Sequence, residues 1–277
     1  LMAFDESVAG RGALELAPGE YDLILSHGPF VGVNRQHVTV ASNQSVQIRG
    51  ALPRRVFHPG WTAADFHVHA EHSIDSGLAM QKRAESFIVE DMEFLSSSDH
   101  DVLSDYEPLL EKLGWRTRLG SQVGAEVTTQ ELGHFIGWPL NYQRFTAEAE
   151  PRPVLSNGAP EWREKTPGQI FQAMRAAGKP GATMVVEVPH PYSYFDYYGL
   201  DAVTVEPADS ILAVLGINPL IQGKNFSGDF EAMELCNGKN MDQVRRPTVD
   251  EVRFYSQGMD ALLAERATGT IDDATYA

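Results

Sequence analysis

Ala64-Asp65-Phe66-His67-Val68-His69 is a short run of alternating character that ends on two imidazoles two positions apart. Read as a β-strand, it sends residues 67 and 69 to one face, where both rings can reach a single cation. The pattern recurs. Phe94-Leu95-Ser96-Ser97-Ser98 runs into Asp99-His100-Asp101, and Val123-Gly124-Ala125-Glu126-Val127 carries a carboxylate inside an apolar run. Gly133-His134-Phe135-Ile136-Gly137 follows, and Val185-Val186-Glu187-Val188 leads into Pro189-His190-Pro191. Ionisable groups at or just past the ends of β-type runs occupy the positions where α/β folds build sites.

Outward from these runs, helical segments alternate with them. The clearest opens at Thr166, a cap residue followed by Pro167 and Gln169, with Ile170, Phe171, Met174 and Ala177 on one face and Gly178 and Pro180 at its end. Ala84, Phe87 and Ile88 mark a second helix, and Val252, Phe254, Leu262 and Leu263 a third. Repeated βα alternation predicts an α/β barrel or a doubly wound sheet over residues 59–277. Residues 1–58 differ in texture. Leu14-Glu15-Leu16, Tyr21-Asp22-Leu23-Ile24-Leu25, His37-Val38-Thr39-Val40 and Ser45-Val46-Gln47-Ile48, punctuated by Pro18-Gly19 and Gly28-Pro29, predict a small antiparallel, sandwich-like β-domain. The boundary falls in the aperiodic residues 53–60.

Composition narrows the function classes. A formal charge of −16 over 277 residues argues against a general attraction to nucleic acid or to anionic membrane. Cys236 is the single cysteine, so neither an internal disulfide nor a Cys-x-x-Cys metal site is expected. No apolar run approaches the roughly 18 residues of a membrane span. Leu1-Met2-Ala3-Phe4 lacks a signal-peptide pattern and reads like the middle of a longer protein.

Each candidate also has a plainer reading. His67 and His69 would serve equally as exposed rings near a strand end, Asp75 as a local turn cap, and the Asp99-His100 pair as a hydrogen-bonded loop. His134 and His190 would each pass singly as satisfied core histidines. Glu126 is harder to dismiss, because an ionised carboxylate in an apolar strand is costly without a positive partner, and few basic residues lie near it in sequence. Five histidines and a glutamate at the ends of successive β-type runs together favour a multinuclear metal site, of the kind that makes water a nucleophile at neutral pH.

In this order the motifs resemble the PHP (polymerase and histidinol phosphatase) superfamily, and the flanking sequence is most similar to its carbaryl-hydrolase-like (CehA/McbA) branch. The resemblance covers residues 18–237. It rests on 64–69, Asp75-Ser76, Ser98-Asp99-His100-Asp101 with Asp105-Tyr106, Gly124-Ala125-Glu126-Val127-Thr128-Thr129, Gly133-His134-Phe135 with Pro139-Leu140, His190-Pro191 and Met233-Glu234-Leu235-Cys236-Asn237-Gly238. It implies a distorted (β/α)7 barrel with two or three divalent ions, Zn, Mn or Fe, in its mouth. Carried over, His67 and His69 bind one ion, Glu126 bridges to a second completed by His134 and His190, and Asp75 and His100 hold a third. Glu126, His134 and Asp99 are the catalytic candidates, with Asp99 supporting rather than ligating. One departure stands out: the family closes its site with an Asp-x-His motif, yet no histidine follows His190. A barrel truncated at its C-terminal end is the expectation.

The expected activity is that of a metal-dependent hydrolase, in which a hydroxide bridging the ions cleaves a carbamate, ester or amide bond of a small molecule. Phosphoester hydrolysis of the PHP type and a catalytically silent metal-binding domain are the alternatives. Tyr192, Tyr194, Tyr197 and Tyr198 offer a pocket wall for an aromatic or apolar group, or else a loop packed on itself. Lys224, Asn237 and Lys239 are candidate oxyanion contacts. Branch membership would lean towards a periplasmic or secreted protein; oligomeric state is not legible.

Overall fold

The computed structural model describes residues 11–129, 132–142, 165–190 and 227–234. Strand β1 (Gly19–Leu25) pairs antiparallel with β2 (Asn34–Val40) over all seven residues, from Gly19 opposite Val40 to Leu25 opposite Asn34. Residues 14–16 and 45–48 form no strand. Leu14 and Val46 stay 53% and 45% exposed, too little burial to cement a further layer. Among the described residues the expected sandwich-like domain is therefore a single two-stranded ribbon.

That ribbon is strapped to the rest of the chain rather than tethered by a free linker. The His27 ring donates from Nδ1 to Val89 O (2.6 Å), and Arg54, inside the expected boundary, pairs with Asp91 at 2.5 Å. Gly28 makes the close approach possible: a Cβ there would lie 1.9 Å from Glu90 O, and its φ of +75° suits glycine.

Beyond it the alternation of strand and helix appears as expected. Strands β3 (Ala64–Val68), β4 (Phe94–Ser97) and β5 (Gly120–Gln122) form a parallel sheet in that order, with α1 (Met80–Val89) and α2 (Glu107–Leu113) as the intervening helices. Ala84, Phe87 and Ile88 of α1 pack with Val68, Leu95, Leu110, Leu119 and Tyr106 in one core. Helix α2 was not legible in the sequence because Leu110 is its one buried side chain, leaving no periodicity to read.

Residues 122–128 read as one strand, but the chain turns at Val123-Gly124 and divides into β5 and β6 (Ala125–Thr128). Gly124 is where the two sheets touch. Its N–H donates to Ser97 Oγ (3.2 Å), and a Cβ there would lie 2.5 Å from Ser97 O and 3.0 Å from Gly137 O. From this point β6, β7 (His134–Trp138), β8 (Val185–Val188) and β9 (Ala232–Met233) form a four-stranded sheet, antiparallel except for the final β8–β9 pair. Helix α3 (Pro167–Ala176) covers it, opened by the expected capping box between Thr166 and Gln169 and anchored by the Phe171 ring edge-on to Phe135 at 4.9 Å.

The two sheets are joined through the backbone just past β4. Glu126 N–H donates to Asp99 O (3.3 Å) and Asp101 N–H to Glu126 O (2.9 Å). The architecture is mixed α/β with several sheets and few helices. Among the described residues the strands do not close into a barrel. The third expected helix, at Val252, Phe254, Leu262 and Leu263, lies outside those residues, and within them no helix is long and apolar enough to cross a membrane.

Because no room exists for a methyl group at the sheet junction, Gly124→Ala is expected to destabilise the protein by about 1–3 kcal/mol, the usual cost of overpacking. Urea unfolding followed by circular dichroism reads this directly, and a midpoint equal to that of the parent would refute the tight junction.

Candidate metal centre

Strand β3 does not run straight into its histidines. Its register against β4 slips by one residue between Asp65 and Val68, a β-bulge of the kind that re-aims side chains beside sites. Asp65 stabilises the bulge by accepting the His67 N–H (2.9 Å), and Ser98 Oγ accepts that of Val68 (2.7 Å). His67 and His69 emerge with ring centroids 5.0 Å apart.

Around them the other strand ends complete a ring. His69 lies 4.8 Å from His100, His100 5.0 Å from His134, His134 5.2 Å from His190, and His190 5.5 Å from His67, all between centroids. Five imidazoles from four chain segments thus form a closed crown. At its centre stands the carboxylate of Glu126, with a side chain only 1% exposed. Oε1 lies 2.8 Å from His134 Nδ1 and 3.1 Å from His190 Nε2. Oε2 lies 3.2 Å from His67 Nε2, 3.1 Å from His69 Nε2 and 3.5 Å from His100 Nδ1. Asp75 adjoins the crown, with Oδ1 3.5 Å from His69 Nδ1 and Oδ2 3.5 Å from His100 Nε2.

Three donor triads follow from these positions, each with its ligand atoms within 4.8 Å of one another: His67, Glu126 and His190; His69, Asp75 and His100; and His100, Glu126 and His134. The sequence reading paired His67 with His69; here each falls in a different triad, although both face the same oxygen of Glu126. Asp99 belongs to none. It is wholly buried behind the crown, where Oδ1 accepts the Ala70 N–H (2.7 Å) and Oδ2 the Ser104 hydroxyl. Asp99 thereby anchors the peptide that follows His69. His72 stands outside the crown and contacts Ser104 Oγ at 3.0 Å.

Electrostatics fit the same arrangement. Burial alone would raise the pKa of Glu126, but hydrogen bonds to His134, His190, His67 and His69 hold it well below the usual carboxylate range. Burial opposes a charged His67, yet Glu126 and Glu234 outweigh it and push that ring up to about 10. His100, dominated by burial, is lowered. Five rings at 5 Å spacing cannot all carry protons without strong mutual repulsion, whereas as neutral donors around one ionised carboxylate they match the nitrogen-rich ligation of zinc, manganese or iron. The clustered His, Glu and Asp residues could therefore hold metal ions.

Several contributors escaped sequence reading. Glu234 Oε1 meets His67 Nδ1 at 3.0 Å, Thr128 Oγ1 meets His100 Nδ1 at 2.7 Å, and Ser73 Oγ meets His69 Nδ1 at 3.0 Å while donating to Asp75 Oδ1 at 2.7 Å. The signal that exposed Glu126, a carboxylate within an apolar run, also marks Glu234 and Glu187. It separates them poorly: Glu187 stays outside the crown, accepting the Trp138 indole N–H (3.3 Å) with its pKa raised by burial. Tyr192, Tyr194, Tyr197, Tyr198, Lys224, Asn237 and Lys239 lie outside the described residues. Compared with protein-family models, curated proteins and solved structures, the chain matches none.

Glu126 and His100 each belong to two triads, but only Glu126 brings a negative charge and faces all five rings, so Glu126→Gln should cost far more metal than any single histidine change. Losing the charge at a buried site predicts at least about a hundredfold weaker binding. Metal content measured by plasma spectrometry after dialysis tests this; a variant that retains the parental stoichiometry would remove Glu126 from the centre.

Proposed function

We propose that the protein is a metal-dependent hydrolase of the PHP type that cleaves a carbamate, ester or amide bond. The observation carrying this reading is the closed crown of five imidazoles around one buried carboxylate. On this reading the three- and four-stranded sheets are arcs of one distorted β/α barrel, with the crown at its mouth.

Glu126 links two donor sets, Oε1 facing His134 and His190 and Oε2 facing His67, His69 and His100. His69, Asp75 and His100 form the third set. Divalent ions held by these residues would supply the positive charge that lowers the pKa of water towards about 7 and stabilises developing negative charge on oxygen. What the chain itself contributes is order. Ser73 meets His69 on Nδ1, the nitrogen turned away from Glu126, Thr128 meets His100 on Nδ1, and Asp99 fixes the backbone beyond His69. Ala125 and Val127, on the opposite face of β6, are buried and fix the strand that carries Glu126. Asp75, at 38% the most exposed of the donors, marks the side open to a substrate.

The test loads the purified full chain with zinc or manganese and offers a nitrophenyl ester, a naphthyl carbamate and a nitrophenyl phosphate. Turnover of the ester or carbamate is expected, with His134→Ala reducing kcat/KM by at least about a hundredfold, some 2.7 kcal/mol of transition-state stabilisation. Cleavage of the phosphate alone would instead identify a phosphoesterase. Stoichiometric metal without turnover of any of the three would identify a silent metal-binding domain.

A further inference from the structure

Glu234 makes two contacts that no donor role requires. Oε1 lies 3.0 Å from His67 Nδ1, and Oε2 accepts the backbone N–H of His190 at 2.8 Å. A carboxylate only accepts, so the first contact keeps the proton of His67 on Nδ1 and leaves Nε2, 3.2 Å from Glu126 Oε2, as the nitrogen that faces the centre. The second holds a residue in an uncommon conformation: His190 has a φ of +31°, in the region that side chains with a Cβ rarely adopt.

The placement of Glu234 explains why both contacts come from one side chain. It follows β9 directly, and its own N–H donates to Val188 O at 3.1 Å, which seats it beside the end of β8. His67 comes from the three-stranded sheet and His190 from the end of the four-stranded one. Their rings form the widest step of the crown, 5.5 Å. On the opposite side the sheets are joined by backbone pairing at His100 and Glu126; on this side Glu234 spans the gap.

We propose that Glu234 is a positioning residue of the metal centre, which clasps His67 and His190 together and sets the nitrogen that His67 presents. The inference rests on the metal-centre reading and is independent of hydrolysis. Carboxylates bonded to the far nitrogen of a ligating histidine fix its tautomer and strengthen it as a donor, and their loss typically weakens metal binding about 10- to 100-fold.

Glutamine at this position keeps the shape but has one acceptor oxygen, so it can serve His67 or His190 but not both. Zinc affinity of the full chain, measured by competition with a chromophoric chelator, should fall about 10- to 100-fold in Glu234→Gln. In proton–nitrogen NMR of the zinc-loaded chain, the His67 Nδ1–H proton held by Glu234 should exchange slowly with solvent, and this protection should be lost in Glu234→Gln. Glu234→Asp, which retains two acceptor oxygens, should recover part of the affinity. Thr166→Ala serves as the control: it removes a helix cap, lowers stability and should leave zinc binding unchanged. Parental zinc affinity with an unchanged His67 Nδ1–H signal in Glu234→Gln overturns the proposal, as does an equal loss of affinity in Thr166→Ala. A parent chain that binds no zinc overturns both this role and the metal centre. Zinc binding that depends on Glu234, in a protein that hydrolyses nothing, leaves the role standing and removes only the hydrolase.

Discussion

A carboxylate buried where water cannot solvate it must find positive charge or strong donors nearby, and Glu126 finds five imidazoles. That requirement organises the site. His67 and His69 come from the end of β3, His100 from beyond β4, His134 from the start of β7 and His190 from beyond β8, and a side chain in the middle of β6, next to the junction of the two sheets, meets all five. The junction in turn needs a glycine: with no side chain at position 124, β6 starts within hydrogen-bonding distance of Ser97 and lays Glu126 beside the extension of β4. The electrostatic demand of one residue and the steric demand of another two positions earlier are thus met by the same turn.

Precision comes from the surrounding polar groups rather than from the rings themselves. An imidazole turns about its χ angles and carries its proton on either nitrogen, so a crown of five rings is underdetermined until other groups fix it. Asp65 holds the bulge beneath His67, Ser73 and Thr128 address His69 and His100, and Asp99 ties down the peptide after His69. Most of these partners are small or short, and most also bond to backbone, so they hold ring orientation and chain path at once.

Much of this was legible in the sequence, and the illegible part has physical causes. Strand β7 and the capped helix α3 were read almost residue for residue, because a five-residue apolar run and a Thr-Pro-x-Gln start are signals carried by local chemistry alone. The crown residues were found one by one because each sits at a strand end. Their grouping into triads was not, since it depends on a one-residue register slip in β3 that leaves the alternation of residues 64–69 unchanged. Residues 122–128 looked like one strand because Val123 and Ala125 keep the apolar run continuous through the turn. The early runs at residues 14–16 and 45–48 had strand-like alternation but lacked a partner surface, which a local pattern cannot reveal. Glu234 and Glu187 have the same sequence texture, and only their neighbours in space tell them apart.

The histidines of the crown span positions 67 to 190, and the ring cannot close until both sheets have met. Two of the donor triads lie within residues 69–134, whereas that of His67, Glu126 and His190 is complete only once β8 and the residues after it are in place. Completion of that last triad and the meeting of the two sheets are consequently one event, and an ion seated there would cross-link the sheets on the side that backbone pairing leaves open.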